Sequence, residues 1–168
     1  MPKGPAARVG DPVAHPAPAM LTPTGSLGSP NVFIRGKPAW RGMSALAAPG
    51  LLAAKQAADA KIQVAETATL NASGTLAQPG FKAAEEALKT STSIEMSSAV
   101  MAAAGGADIH MCSTPLPLPP HGPGVVIDGS ATVRINGLPA CRMGDTVAEA
   151  LGLPNKIVAG EASVIIGG

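Results

Sequence analysis

One stretch of this chain is written three times. Gly28-Ser-Pro-Asn-Val-Phe-Ile-Arg-Gly-Lys-Pro-Ala-Trp-Arg41 reappears as Gly129-Ser-Ala-Thr-Val-Arg-Ile-Asn-Gly-Leu-Pro-Ala-Cys-Arg142, with the shared pattern G-S-x-x-V-x-I-x-G-x-P-A-x-R. A third copy begins at Gly160 as Gly-Glu-Ala-Ser-Val-Ile-Ile-Gly-Gly and stops where Pro-Ala-x-Arg should follow. The missing piece stands at the other end of the chain, as Pro5-Ala-Ala-Arg-Val-Gly-Asp11. Read as a circle, the sequence holds three copies of one unit. Each copy places Val and Ile two apart (Val32/Ile34, Val133/Ile135, Val164/Ile166), which puts two branched side chains on one face of a strand. The glycines before and after each strand are expected to supply the backbone angles of tight turns, and the proline of Pro-Ala-x-Arg an extended entry. A strand pair this short is not stable alone, so the three apolar faces must meet. The expected fold is mainly β: a small three-sided prism of three pseudo-threefold repeats.

The repeat is interrupted once. Arg8 is followed by Val-Gly-Asp11 and Arg142 by Met-Gly-Asp145, but after Arg41-Gly42 the matching acid comes only at Asp108. Residues 43–106 are therefore read as an Ala-rich helical insertion, and residues 1–42 with 107–168 as the β body. Of 17 prolines only Pro49 and Pro79 fall inside the insertion. Helices are expected over 51–70 and 81–104, separated by turn signals at Asn71, Gly74 and Pro79-Gly80. Their apolar residues, among them Leu51, Leu52, Ile62, Leu88, Val100 and Met101, are too few for an independent core. A hairpin leaning on the β body or on a partner is the simple reading, with a mobile linker as its alternative.

Composition removes several functions. A net charge of +1 offers no basic field to a nucleic acid. No apolar run approaches the roughly 18 residues of a spanning helix, and Met1 to His15 lacks the hydrophobic stretch of a signal peptide, so any export is expected to follow a route that reads no such signal. Cys112 and Cys141, in a chain without that signal, favour reduced thiols or metal ligation over a disulfide.

The three histidines, His15, His110 and His121, carry the chemistry. His110 and Cys112 are two apart on an extended segment and project to one side, and the proline-rich loop from Pro115 to Pro120 can return His121 to the same point. The fourth ligand is nominated by the repeat: His15 lies four residues after Asp11 and His110 two after Asp108, at equivalent corners of neighbouring units. Three histidines with Cys112 form a complete tetrahedral donor set for Zn2+, and a tip without apolar core is where a metal replaces packing. Cys141 is the competing sulfur ligand, although its place in Pro-Ala-x-Arg favours the wall of the prism. Asp11, Asp108 and Asp145 are expected to bond turn backbone or Arg8, Arg41 and Arg142. Trp40 is either an interface anchor or a cover for the base of the insertion. No nucleophile elbow, Ser-His-Asp set or phosphate loop is present.

These residues resemble the PAAR-repeat proteins that tip the spikes of type VI secretion and related contractile injection systems. The naming motif stands as Pro5-Ala6-Ala7-Arg8, with Pro38-Ala39-Trp40-Arg41 and Pro139-Ala140-Cys141-Arg142 as degenerate copies. The resemblance implies a conical β fold with zinc held by His and Cys at its point, seated on a trimeric VgrG-type spike. The chain departs from the family in its helical insertion and in a circularly permuted repeat order. The resulting expectation is a non-enzymatic piercing tip, one copy per spike trimer, with an effector or chaperone held through the insertion and export by contraction. The alternative is a zinc-dependent hydrolase or effector, against which stands the lack of a carboxylate near His110 or His121 in sequence.

Overall fold

The computed structural model describes residues 2–16, 20–25, 27–112 and 121–168, together with the backbone alone at Met20. The Pro115 to Pro120 loop of the sequence reading lies outside them. The described residues form twelve strands and two helices.

Three two-stranded antiparallel pieces carry the repeated sequence. Strands β4 (Phe33–Ile34) and β5 (Lys37–Pro38) form one, β8 (Arg134–Ile135) and β9 (Leu138–Pro139) the second. The third joins β1 (Gly4–Ala6) to β12 (Glu161–Ile166), from opposite ends of the chain. Phe33 faces Pro38, Arg134 faces Pro139 and Ile165 faces Pro5. The two closed hairpins turn through Arg35-Gly36 and Asn136-Gly137, all four at positive φ, as a two-residue turn matched to strand twist requires. The glycines that open each copy serve otherwise than the sequence suggested. A Cβ on Gly28, Gly129 or Gly160 would stand 2.8, 3.2 or 2.7 Å from the carbonyl oxygen of Ala39, Ala140 or Ala6. Close approach of backbone, not a left-handed turn, excludes a side chain at Gly28 and Gly160 and crowds one at Gly129.

The three Pro-Ala-x-Arg segments bond one another in a ring. Ala7 N–H donates to the Cys141 carbonyl (2.9 Å), Cys141 N–H to that of Trp40 (3.0 Å), and Trp40 N–H to that of Ala7 (2.9 Å). Around this ring the side chains sort by position. Ala6, Ala39 and Ala140 pack with Ile34, Ile135 and Ile166. The next residues, Ala7, Trp40 and Cys141, pack with Val13, Val126, Val147 and Ile157. Trp40 is thus interior to the β body, neither an exposed anchor nor a cover for the insertion.

Each ring segment ends in an ionic corner. Arg8, Arg41 and Arg142 pair with Asp11, Asp108 and Asp145 at 3.0, 2.5 and 2.8 Å, and each arginine N–H also donates to its aspartate. Each aspartate N–H in turn donates to the arginine carbonyl. From the corners run strands that the hairpin picture did not include. Strands β2 (Pro12–His15), β3 (Met20–Pro23), β6 (Ile109–Met111), β7 (Pro123–Val126), β10 (Thr146–Glu149) and β11 (Asn155–Ile157) form a six-stranded antiparallel sheet in the order β3-β2-β11-β10-β7-β6.

Helices α1 (Ala48–Asn71) and α2 (Gln78–Ala104) lie between Arg41 and Asp108. Pro49 and Pro79 sit in their first turns, where the missing N–H costs nothing, so Pro79 starts α2 and is not part of the turn before it. Gly105, at positive φ, ends α2. The inner halves bury Ala48, Leu51, Ala58, Met96, Val100 and Ala104 against Met43, Ala107, Val125 and Ala150, so the hairpin leans on the β body. Met101, one of its few large apolar residues, is exposed. Farther out Lys89 bridges the helices, 2.6 Å from Glu66 and 2.5 Å from Glu85.

Candidate metal centre

The strands leaving the three corners converge on one buried cluster. His15 ends β2, His110 is central in β6 with Cys112 just beyond it, and Glu149 ends β10. One ligand atom from each of these four lies within 4.8 Å of all the others. His121, at the start of the segment leading into β7, joins them through contacts with two members: its Nδ1 is 3.5 Å from Cys112 Sγ and 2.9 Å from Glu149 Oε2. The structure therefore brings His15, His110, Cys112 and His121 to one place. It places Cys141 elsewhere, buried in the apolar layer around the ring, where burial raises its thiol pKa well above the usual value.

Glu149 was missed by the sequence reading, and its position corrects one premise there. A carboxylate does reach the histidines, from a strand distant in sequence. Its side chain has 0% exposure. Oε1 lies 2.9 Å from His15 Nε2 and 3.1 Å from His110 Nε2. Burial alone would push this carboxyl up, but hydrogen bonds from His110 and His15 and their charge bring it below the usual range. The signal that would have found it is register: Glu149 stands four residues after Asp145, as His15 does after Asp11 and Cys112 after Asp108.

Neighbouring groups orient the rings. His110 Nδ1 is 2.9 Å from the Thr24 carbonyl oxygen, which only accepts, so Nδ1 carries a proton and the ring turns Nε2 into the cluster. Thr22 Oγ1 is 3.3 Å from His15 Nδ1 and from His110 Nε2. Burial lowers the His121 pKa, favouring the neutral imidazole that ligates. Gly152, at positive φ, lets the chain pass His121, since a Cβ there would lie 2.8 Å from Nε2.

Spacing and chemistry fit a metal ion. Donors on one Zn2+ stand about 3.3–3.6 Å apart at tetrahedral angles and about 2.9 Å at right angles, from bond lengths of about 2.0–2.3 Å. Cys112 Sγ is 3.3 Å from His15 Nε2 and 3.5 Å from His121 Nδ1, within those ranges. Glu149 Oε2 is buried without a hydrogen bond despite its closeness to His121, a deficit that a cation would remove. The cluster can hold a metal ion, and nitrogen, sulfur and one carboxylate oxygen suit zinc.

No curated protein and no solved structure matches the chain. It does match the PAAR motif family, over residues 90–152 and 117–168, which takes in α2 from its midpoint, His110, Cys112, His121, Glu149 and two of the three repeat strands. This match over residues 90–168 supports a PAAR-repeat protein, a family that implies type VI secretion.

Proposed function

We propose that the protein is a non-enzymatic, zinc-stabilised piercing tip that caps a trimeric VgrG-type spike, one copy per trimer. The observation that carries the reading is the closed ring of Ala7, Trp40 and Cys141 with its three like strand pairs, in a chain of the PAAR-motif family. A single chain with three similar sides can meet each subunit of a homotrimer in the same way. Apolar side chains at the strand pairs, Phe33, Val133, Val164 and Ile165, are exposed and suit a cap whose strands extend the partner's sheets. In this reading residues 1–42 and 107–168 form the cone, His15, His110, Cys112 and His121 hold zinc at its point, and 43–106 is an added module. The exposed Leu70, Leu76 and Phe81 at the outer end of that module are the surface for an effector or chaperone. The tip contacts a target envelope only in passage and reaches it by contraction.

A hydrolase would need Glu149 free to act on water. Both its oxygens are instead turned to histidine nitrogens in a fully buried side chain. Native mass spectrometry of the protein mixed with a cognate trimeric spike tests the proposal. One copy per trimer, weakened by Val133→Asp or Ile165→Asp, is expected; three copies per trimer, or none, overturns it.

A further inference from the structure

A glycine stands in the six-stranded sheet where a central strand ordinarily presents a side chain. Gly124, in β7, pairs with Glu149 of β10 on one side and with His110 of β6 on the other, so the three residues share one rung. Strands two apart are separated by about 9–10 Å, and side chains carried by them meet only over the strand between. These two do meet: Glu149 Oε1 lies 3.1 Å from His110 Nε2. Two residues farther along the same face, β7 carries Val126 opposite Val147, and both side chains pack in the apolar layer. At Gly124 that space belongs to the neighbouring strand. A Cβ there would stand 2.8 Å from Glu149 Cγ, 3.0 Å from Val147 Cγ1 and 3.3 Å from the Ala148 carbonyl oxygen. Gly124 is not among the residues at positive φ, so the backbone path does not call for glycine. Glycine inside a strand weakens it, and close approach by another group is the remaining reason for one here.

We propose that Gly124 is a positioning residue: by presenting no side chain, it lets the Glu149 side chain lie across β7 and bring its carboxylate to His110. Gly124 thereby decides whether an oxygen donor stands among the nitrogen and sulfur donors of the cluster. The consequence for metal binding rests on the metal reading above; the contact between Gly124 and Glu149 does not.

The test compares wild type, Gly124→Ala, Glu149→Ala and the double variant by crystallography, by urea unfolding and by chelator competition for Zn2+. Gly124→Ala is expected to move the Glu149 carboxylate beyond hydrogen-bonding distance of His110 and to weaken Zn2+ binding about tenfold, the scale for losing a group that orients ligands. Because the glycine acts through Glu149, the double variant should bind Zn2+ no more weakly than Glu149→Ala alone. Unfolding should show the same dependence: Gly124→Ala lowers the urea midpoint of wild type, and lowers that of Glu149→Ala by less than half as much, since only the contacts with Val147 and Ala148 then remain. Equal falls in both backgrounds, a further loss of Zn2+ affinity in the double variant, or a Gly124→Ala structure with Glu149 still on His110 overturns the inference. Should Gly124→Ala fail to fold, folding restored in the double variant supports the inference and continued failure overturns it. Wild type that binds no Zn2+ overturns the metal reading instead, and the unfolding comparison then decides the role of Gly124 by itself.

Discussion

The alanine layer and the donor cluster follow the same threefold register on successive segments of the repeat, yet only the first repeats its residues. At one level Ala6, Ala39 and Ala140 are each fully buried and packed with Ile34, Ile135 and Ile166. Where three backbones meet around a ring, one side-chain size fits all three places. At the other level the matching places hold His15, Cys112 and Glu149, three chemistries in one geometry. A cluster suited to a metal asks for donors at equal reach and for balanced charge, not for equal volume. The difference teaches that the repeat conserves backbone path throughout, while side-chain identity follows whatever the local filling demands.

Breaking the unlike level should cost most. On the proposed metal reading, chelation, or Cys112→Ser, removes an ion that would tie β2, β6 and β10 together where there is little apolar area to take over. A loss of about 5 kcal/mol or more is expected, read by calorimetry as a fall in Tm of about 10–20 °C. If chelated and loaded protein melt alike, the cluster is held by its hydrogen bonds alone and the contrast between the levels disappears.

The ionic corners grade the comparison, because they repeat in sequence but differ in surroundings. Arg142 and Asp145 are nearly fully buried, and Arg142 also donates to the Pro2 and Asp128 carbonyls. Asp145→Ala strands a buried guanidinium and should cost about 3–4 kcal/mol in urea unfolding. Arg8 keeps a second partner, Glu161 at 2.6 Å, so Asp11→Ala should cost only about 1–2 kcal/mol. Equal losses would mean that the second carboxylate contributes nothing.

The like level tolerates no added volume. Ala140→Leu should destabilise by about 1–3 kcal/mol through overpacking against Ile135 and its counterparts. Ala84→Val, on an exposed turn of α2, should stay below about 1 kcal/mol, the scale of helix propensity. The smallest effect is a gain. The equivalent turns Arg35-Gly36 and Asn136-Gly137 both need positive φ at their first residue, which asparagine accepts more readily than arginine. Arg35→Asn should raise stability by about 0.5–1 kcal/mol, and an unchanged or lowered midpoint would show that the exposed Arg35 contributes through its long contact with Glu161.

Much of this architecture was legible because it depends on neighbours in sequence. The isoleucine of each Val-x-Ile pair, the Gly after the two hairpin strands and the Pro-Ala-x-Arg spacing specify strands and turns locally, while Val133 and Val164 are exposed where both members of each pair were expected on the buried face; the return of Asp at Asp108 marks where the helices enter. His110 and Cys112, two apart on one extended segment, needed only strand periodicity to be placed on one side. Decisions that depend on three-dimensional neighbours were not legible in this way. Whether a strand pairs only with its hairpin partner or joins a six-stranded sheet turns on long-range hydrogen bonds between segments such as β2 and β11, which no local pattern encodes. Trp40 was expected as an interface anchor or as a cover for the base of the insertion, but its place beside Ala7 and Cys141 in the ring turns it inward. Glu149 is an acid in an ordinary strand until three corners are superposed; only then does its carboxylate face histidines that approach from strands far apart in the chain. Local sequence determined the repeating path and the near-neighbour donors, because short-range sterics and periodicity act within a few residues. Tertiary structure decided which distant carboxylate completes the cluster, because burial and charge balance exist only once the strands have met.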